Sequence, residues 1–166
     1  MWLSERVLLR AALLLAAATL AGCGFRLQGV GIYPESMANT YIAADNQYTY
    51  FYQDLSKALE DGGVRLVSSP LDADTVIRIE RDITGRKVLT VNTRNVPTEY
   101  DVYYTVEYSV WSDGIEVLPS HRLTLSQDYT YDATLVLGKN REEDTLREAI
   151  AQDLVRQVSQ ELSRLP

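Results

Sequence analysis

One cysteine, one histidine and two phenylalanines are all that this chain of 166 residues has of those types. A single thiol excludes an intrachain disulfide, so the fold has to close on hydrophobic packing. A single histidine, His121, has no second histidine or neighbouring cysteine to complete a zinc set. It falls in a strand pattern and reads as a structural or surface residue. Long apolar runs are missing too. Ala11 to Leu20 spans only ten residues, against the roughly twenty a helix needs to cross a hydrocarbon core of about 30 Å. Basic residues are scarce, 16 Lys and Arg against 23 Asp and Glu, which argues against nucleic acid as a partner. No glycine-rich phosphate loop follows a strand pattern, because Gly62-Gly63 reads as a helix stop. The acidic groups Asp72 with Asp74, and Asp113 with Glu116, fall at turns, where Asp bonds to the local backbone. No catalytic constellation is left, and the chain reads as a non-enzyme with no diffusible cofactor.

The beginning of the chain is more informative. Arg6 and Arg10 precede the short apolar run, which suits the central region of an export signal. Small residues Ala21 and Gly22 follow, and then Cys23. Leu20-Ala21-Gly22-Cys23 resembles the lipobox of bacterial lipoproteins. That resemblance implies cleavage before Cys23, a diacylglycerol thioether on its sulfur and acylation of the new amine. Three chains, at about 0.8 kcal/mol per buried methylene, would anchor the protein effectively permanently. Gly24 after the Cys, in place of Asp, implies the outer membrane. Residues 1–22 are then a cleaved signal peptide. Residues 23–166 form one domain with a short N-terminal tether, and loss of Glu5, Arg6 and Arg10 leaves a net charge of −8.

Periodicity gives the order of elements. Met37 to Asp45 reads as a short strand. Tyr50 to Asp61 reads as a helix, with Phe51, Leu55 and Leu59 at every fourth position. Val64 to Val67 and Thr75 to about Ile83 look like strand, with Ile77, Ile79 and Ile83 on one side and Arg78, Glu80 and Asp82 on the other. Tyr100, Val102, Tyr104, Val106, Tyr108 and Val110 alternate with polar neighbours, so one face of this strand is buried. Asp113-Gly114 predicts a two-residue hairpin turn into a strand carrying Ile115, Val117, Leu123 and Leu125. Leu146, Ile150, Leu154, Val158 and Leu162 predict an amphipathic helix over Arg141 to Leu162, with Asn140 and Glu143 as an approximate capping pair. The expected fold is α+β: a two-layer sandwich of a four-stranded mixed sheet with two helices packed on one face.

The stretch Cys23-Gly24-Phe25-Arg26-Leu27-Gln28-Gly29 resembles the start of the LptE family of lipopolysaccharide-assembly lipoproteins. Pro34-Glu35-Ser36-Met37, Thr98-Glu99-Tyr100, Leu137-Gly138-Lys139-Asn140 before the last helix, and the ending Leu162-Ser163-Arg164-Leu165-Pro166 continue the resemblance in order. It implies a plug in the lumen of the outer-membrane β-barrel LptD, a heterodimer with it, and a part in delivering lipopolysaccharide to the outer leaflet. The polar face of the long strand, with Tyr103, Thr105, Glu107, Ser109 and Trp111, reads as contact-capable, as a solvated face, or as a face under its own helices. Eleven tyrosines favour contact, since Tyr joins apolar area to a hydrogen-bonding tip.

An acidic domain does not attract phosphates by its overall field, so lipopolysaccharide needs a local basic site. Arg86 and Lys87 after Gly85, Arg94 in the loop Asn92 to Pro97, and Lys139 with Arg141 before the last helix are the candidates. Free N–H groups of that helix start would add to the last pair. The family resemblance puts Arg94 and Lys139 first. Two other classes stay open: a docking subunit of a different envelope complex, and an envelope hydrolase whose cluster assembles only on folding.

Overall fold

A computed structural model of the chain describes residues 33–131 and 136–166, with the backbone alone for 136–140. After a 3-10 turn, Glu35–Met37, come β1 (Asn39–Ala44), α1 (Tyr50–Asp61) and β2 (Arg65–Leu66). A second turn, Pro70–Asp72, leads to β3 (Thr75–Val91), β4 (Pro97–Ser112), β5 (Ile115–Thr130) and α2 (Val136–Leu162). The strands form one mixed sheet in the order β2-β1-β3-β4-β5, with β1 parallel to both neighbours and the rest antiparallel. Five strands replace the expected four. The turn at Gly62-Gly63 returns the chain beside β1, where Arg65 and Leu66 pair with Asn39 and Thr40.

α1 has the expected bounds for local reasons. Thr49 is extended, and its Oγ1 accepts from the Tyr52 N–H at 3.3 Å. Gly63, at φ +86, lets the Val64 N–H turn back to the Leu59 carbonyl and end the helix. Between them Phe51, Leu55 and Leu59 are fully buried. The β4–β5 turn also has its expected form, Asp113 and Gly114 both taking positive φ.

α2 differs from expectation. It begins at Val136, so Asn140 lies inside it rather than at its N-cap position, and Leu137 to Asn140 belong to the helix. Gly138 costs only about 1 kcal/mol relative to Ala, too little to stop a helix anchored farther on. The stripe itself is core: Ile150, Leu154, Val158 and Leu162 are buried. No described helix is long and apolar enough to cross a membrane.

The sheet face beneath the helices carries Val102, Tyr104, Val106, Tyr108 and Val110, all buried. Both helices reach it. The Phe51 N–H of α1 donates to Tyr104 Oη at 3.4 Å, and Tyr108 donates its hydroxyl to Glu161 of α2. β3 changes sides along its length. Its register slips between Ile79 and Arg81, so Ile79 lies opposite Tyr108 while Asp82 lies opposite Val106 and Ile83 opposite Thr105. Directly opposed residues share a face, so the bulge at Glu80 moves Asp82 under the helices and Ile83 out to the other face. Ile83 is 46% exposed, against none of Ile77. The expected grouping of Ile83 with Ile77 and Ile79 is thus corrected.

Among the described residues the opposite face has no helix on it, and many of its polar groups bond to one another. Glu80 accepts from Ser109 at 2.9 Å and Ser120 at 2.6 Å. Glu107 holds Arg122 at 2.7 Å, with Arg81 at 3.4 Å. Thr105 pairs with Thr124 at 2.9 Å, and Arg78 lies 4.7 Å over the Trp111 ring. Along β4 this polar face is part buried and part exposed: Asp101, Thr105 and Ser109 are buried, and Tyr103, Glu107 and Trp111 are half-buried, with no helix of the described residues over them.

Candidate functional site

β3 runs on to Val91, well past the expected Ile83, so Arg86 and Lys87 after Gly85 stand in regular strand. Arg86 lies opposite Val102 and Lys87 opposite Asp101. They point to opposite faces of the sheet and do not build one site.

Arg86 is turned to the helix side and bound there. Its guanidinium lies 4.7 Å over the Tyr100 ring, and its Nη1 is 2.6 Å from Glu143 Oε2. Glu143, only 5% exposed, also accepts from the Tyr129 hydroxyl at 3.0 Å and from Arg147 one turn along α2. Burial, and then this carboxylate, push the Tyr129 hydroxyl above the usual tyrosine value. Arg86, Glu143, Asp144 and Arg147 line a polar cavity of about 370 Å³. Two guanidiniums against two carboxylates leave it no net charge to offer an anion. Lys87 is held on the other face by Asp101 Oδ2 at 2.8 Å. The hydrogen bond from Lys87 keeps the buried Asp101 carboxyl below the ordinary carboxylate range, against the opposing effect of burial.

Arg94 is different. Asn92 builds the turn around it, its Oδ1 accepting from the Arg94 N–H at 2.9 Å and the Val96 N–H at 3.1 Å, with Asn95 at φ +60. The Arg94 side chain is exposed, and among the described residues no carboxylate pairs with it. Arg141 is also exposed, on the second turn of α2, with Thr145 Oγ1 on its carbonyl. Lys139 lies in the first turn of α2, and its side chain is outside the description. Cys23 lies outside the described residues altogether.

The Tyr131 N–H donates to the Thr98 carbonyl at 2.8 Å, close to the β3–β4 turn. Five residues on, Val136 is within about 17 Å of Tyr131 by chain length alone. Arg94 stands on the hairpin tip, with Arg86 roughly 20 Å back along the hairpin, and Arg141 lies two residues along α2 from Glu143, the carboxylate that holds Arg86. Sequence reasoning missed Glu143 as the hub that occupies Arg86. The available signal was its spacing of four from Arg147, an ion-pairing distance on a helix. Among the described residues no cluster of three His, Cys, Asp or Glu is placed to hold a metal.

Comparison with known structures finds the same architecture in three bacterial lipoproteins. A minor lipoprotein from Acinetobacter baumannii is 24% identical, with TM-score 0.64, over 78% of this chain and 95% of that one. Rare lipoprotein B from Shewanella oneidensis is 22% identical, with TM-score 0.66, over 75% and 93%. An uncharacterized lipoprotein B from Nitrosomonas europaea is 20% identical, with TM-score 0.69, over 84% and 90%. At these identities the likeness is one of fold. No curated protein matches the chain. The profile of the LptE family, described as lipopolysaccharide-assembly, matches residues 37–162, which take in every strand, α1 and α2 to its last residue; the chain belongs to this family of non-enzymatic lipopolysaccharide-assembly lipoproteins.

Proposed function

We propose that the chain is exported, cut before Cys23 and lipidated there, and that residues 23–166 act as one domain at the outer membrane. There it plugs the LptD β-barrel, helps it assemble and takes part in placing lipopolysaccharide. The observation that carries this reading is the helix-free sheet face. Ion pairs close within it, Glu107 with Arg81 and Arg122 and Asp101 with Lys87, and Tyr103 and Trp111 lie half-buried among them. Large barrels have polar lumens, and a compact body with a polar, largely hydrogen-bonded and ion-paired face suits contact with such a wall. For lipopolysaccharide phosphates the reading takes Arg94 and Lys139 first, with Arg141 beside them. Arg86 and Lys87 already hold carboxylates and contribute less.

The test is purification of the full lipidated chain from outer membranes beside the Cys23→Ala variant. The unsubstituted chain is expected to bring a large barrel in equal amount, and Cys23→Ala to lose labelled palmitate. Recovery with a different envelope complex and no barrel overturns the reading, as does palmitate on Cys23→Ala.

A further inference from the structure

From Arg86 to Val96 every residue is exposed except Asn92, which is half-buried just past the end of β3. The β3–β4 turn is built on it. Its N–H donates to the Val96 carbonyl at 2.9 Å, and its carbonyl accepts from the Asn95 N–H at 2.9 Å, which closes the loop. Asn95 completes the reversal at φ +60, a conformation that Asn adopts more readily than most residues. The Asn92 side chain adds bonds beyond that closure: Oδ1 accepts from the Arg94 N–H at 2.9 Å and from the Val96 N–H at 3.1 Å. The backbone of Arg94 is therefore held from inside the loop, while its side chain is exposed. Glu99, the nearest carboxylate along the chain, accepts from Thr90 Oγ1 at 2.6 Å. Pro97 stiffens the exit into β4 through its fixed φ.

A cation on a hairpin tip binds an anion well only if little is lost in ordering the tip. Fixing one backbone residue in a single conformation at the moment of binding lowers affinity roughly tenfold. A loop already fixed in the free protein avoids that loss. We infer that Asn92 is a positioning residue for anion capture: by holding the Arg94 and Val96 N–H groups it orders the tip before the ligand arrives, so that the Arg94 guanidinium meets a lipid-linked phosphate from a fixed backbone. The inference rests on the reading of Arg94 as a contact to lipopolysaccharide phosphate. Asn92 acts through Arg94, its Oδ1 being taken by the two N–H groups. An asparagine that did no more than close the hairpin would contribute equally with Arg94 present or absent. Coupling between the two residues therefore separates the roles.

The test is a double-mutant cycle on Asn92→Ala and Arg94→Ala in the full lipidated chain in detergent, with binding of purified lipopolysaccharide measured beside a thermal melt. Asn92→Ser is the conservative variant, since a serine hydroxyl supports the same kind of turn more weakly. Asn92→Ala is expected to weaken lipopolysaccharide binding by up to about tenfold, and by no more than Arg94→Ala does. Asn92→Ser should recover part of that loss. In the Arg94→Ala background, Asn92→Ala should change affinity no further. The melt is expected to hold, because the tip lies beyond the apolar core, which begins at Val102 on β4. Where Asn92→Ala lowers the melt, the same cycle run with Asn92→Ser decides. An equal loss with and without Arg94 overturns the inference, because Asn92 then acts on the fold and not through Arg94. Unchanged affinity in Asn92→Ala beside a weakened Arg94→Ala overturns it and leaves the phosphate reading of Arg94 standing. Unchanged affinity in Arg94→Ala sinks both.

Discussion

Asp82 owes its work to a single extra residue in β3. With an unbroken alternation it would share the open face with Arg78 and Glu80, but the bulge at Glu80 turns it under the helices. There it accepts from the Tyr104 hydroxyl at 2.6 Å and from Thr49 Oγ1 at 2.5 Å, while Tyr104 Oη takes the Phe51 N–H. One carboxylate thus fixes the start of α1 onto β3 and β4. Burial, reinforced by Asp82, pushes the Tyr104 hydroxyl well above its ordinary value, so it stays a donor at any physiological pH. Tyr104→Phe keeps the ring and removes that donor, leaving Asp82 to Thr49 alone. A hydrogen bond to a charged group contributes roughly 1.5 to 3 kcal/mol, and a loss of that size is expected in denaturant unfolding. An unchanged midpoint would mean that the hub carries no stability. This bulge was not legible in the sequence: Ile77, Ile79 and Ile83 keep a period of two across it, and no glycine marks the slip. The ion pairs across β3, β4 and β5 were equally hidden, since they depend on register rather than on spacing within one strand.

Among the elements, those whose ends are set by nearby residues were legible. α1 has Thr49 before it and Gly62-Gly63 after it, and the β4–β5 hairpin has Asp113-Gly114, so bounds and turn follow from a few adjacent positions. β4 was legible because it is central: five of its six alternating residues from Tyr100 to Val110 are buried under helices, Tyr100 being half-buried against Tyr129 and Tyr131. The far half of β3 was not. Its outer edge has no strand and its apolar side chains stay half exposed, so burial imposes no period on it. The early start of α2 was masked by Gly138 and by the capping look of Asn140 and Glu143, whose carboxylate instead serves Arg86 and Tyr129. The rest of α2 followed its stripe, and Leu154 at its centre is fully buried. Leu154→Ala is expected to cost about 2 to 5 kcal/mol, the range for removing a packed leucine side chain. Thermal and urea unfolding measure it, and a shift too small to resolve would mean that the site repacks without a cavity.

Over the whole molecule the net charge of −7 conceals cations already paired within the fold and, in Arg94, one with no carboxylate partner among the described residues. Arg86, Lys87, Arg122 and Arg147 are closed on carboxylates by ladder register or helix spacing. Arg94 is held out on a turn built by Asn92, and Lys139 and Arg141 lie on the first two turns of α2. If these residues meet lipopolysaccharide phosphates, they do so through charge-assisted hydrogen bonds, which depend on sign and not on bulk. Arg94→Glu with Lys139→Glu should therefore cut lipopolysaccharide binding by the full chain severely. Ordinary surface substitutions move stability by only about 0.5 kcal/mol each, so the melting profile should hardly change. Barrel association, spread over a broad face, should survive as well. Arg86→Gln is the matched control. It removes one of the two guanidiniums on the buried Glu143, so it should lower stability through the lost ion pair while affecting lipopolysaccharide affinity less than the double reversal. A binding assay in detergent, run with a thermal melt and a barrel pull-down, separates the outcomes. Unchanged affinity in the double variant refutes the phosphate site. Lost barrel association with intact affinity would assign Arg94 and Lys139 to the barrel instead.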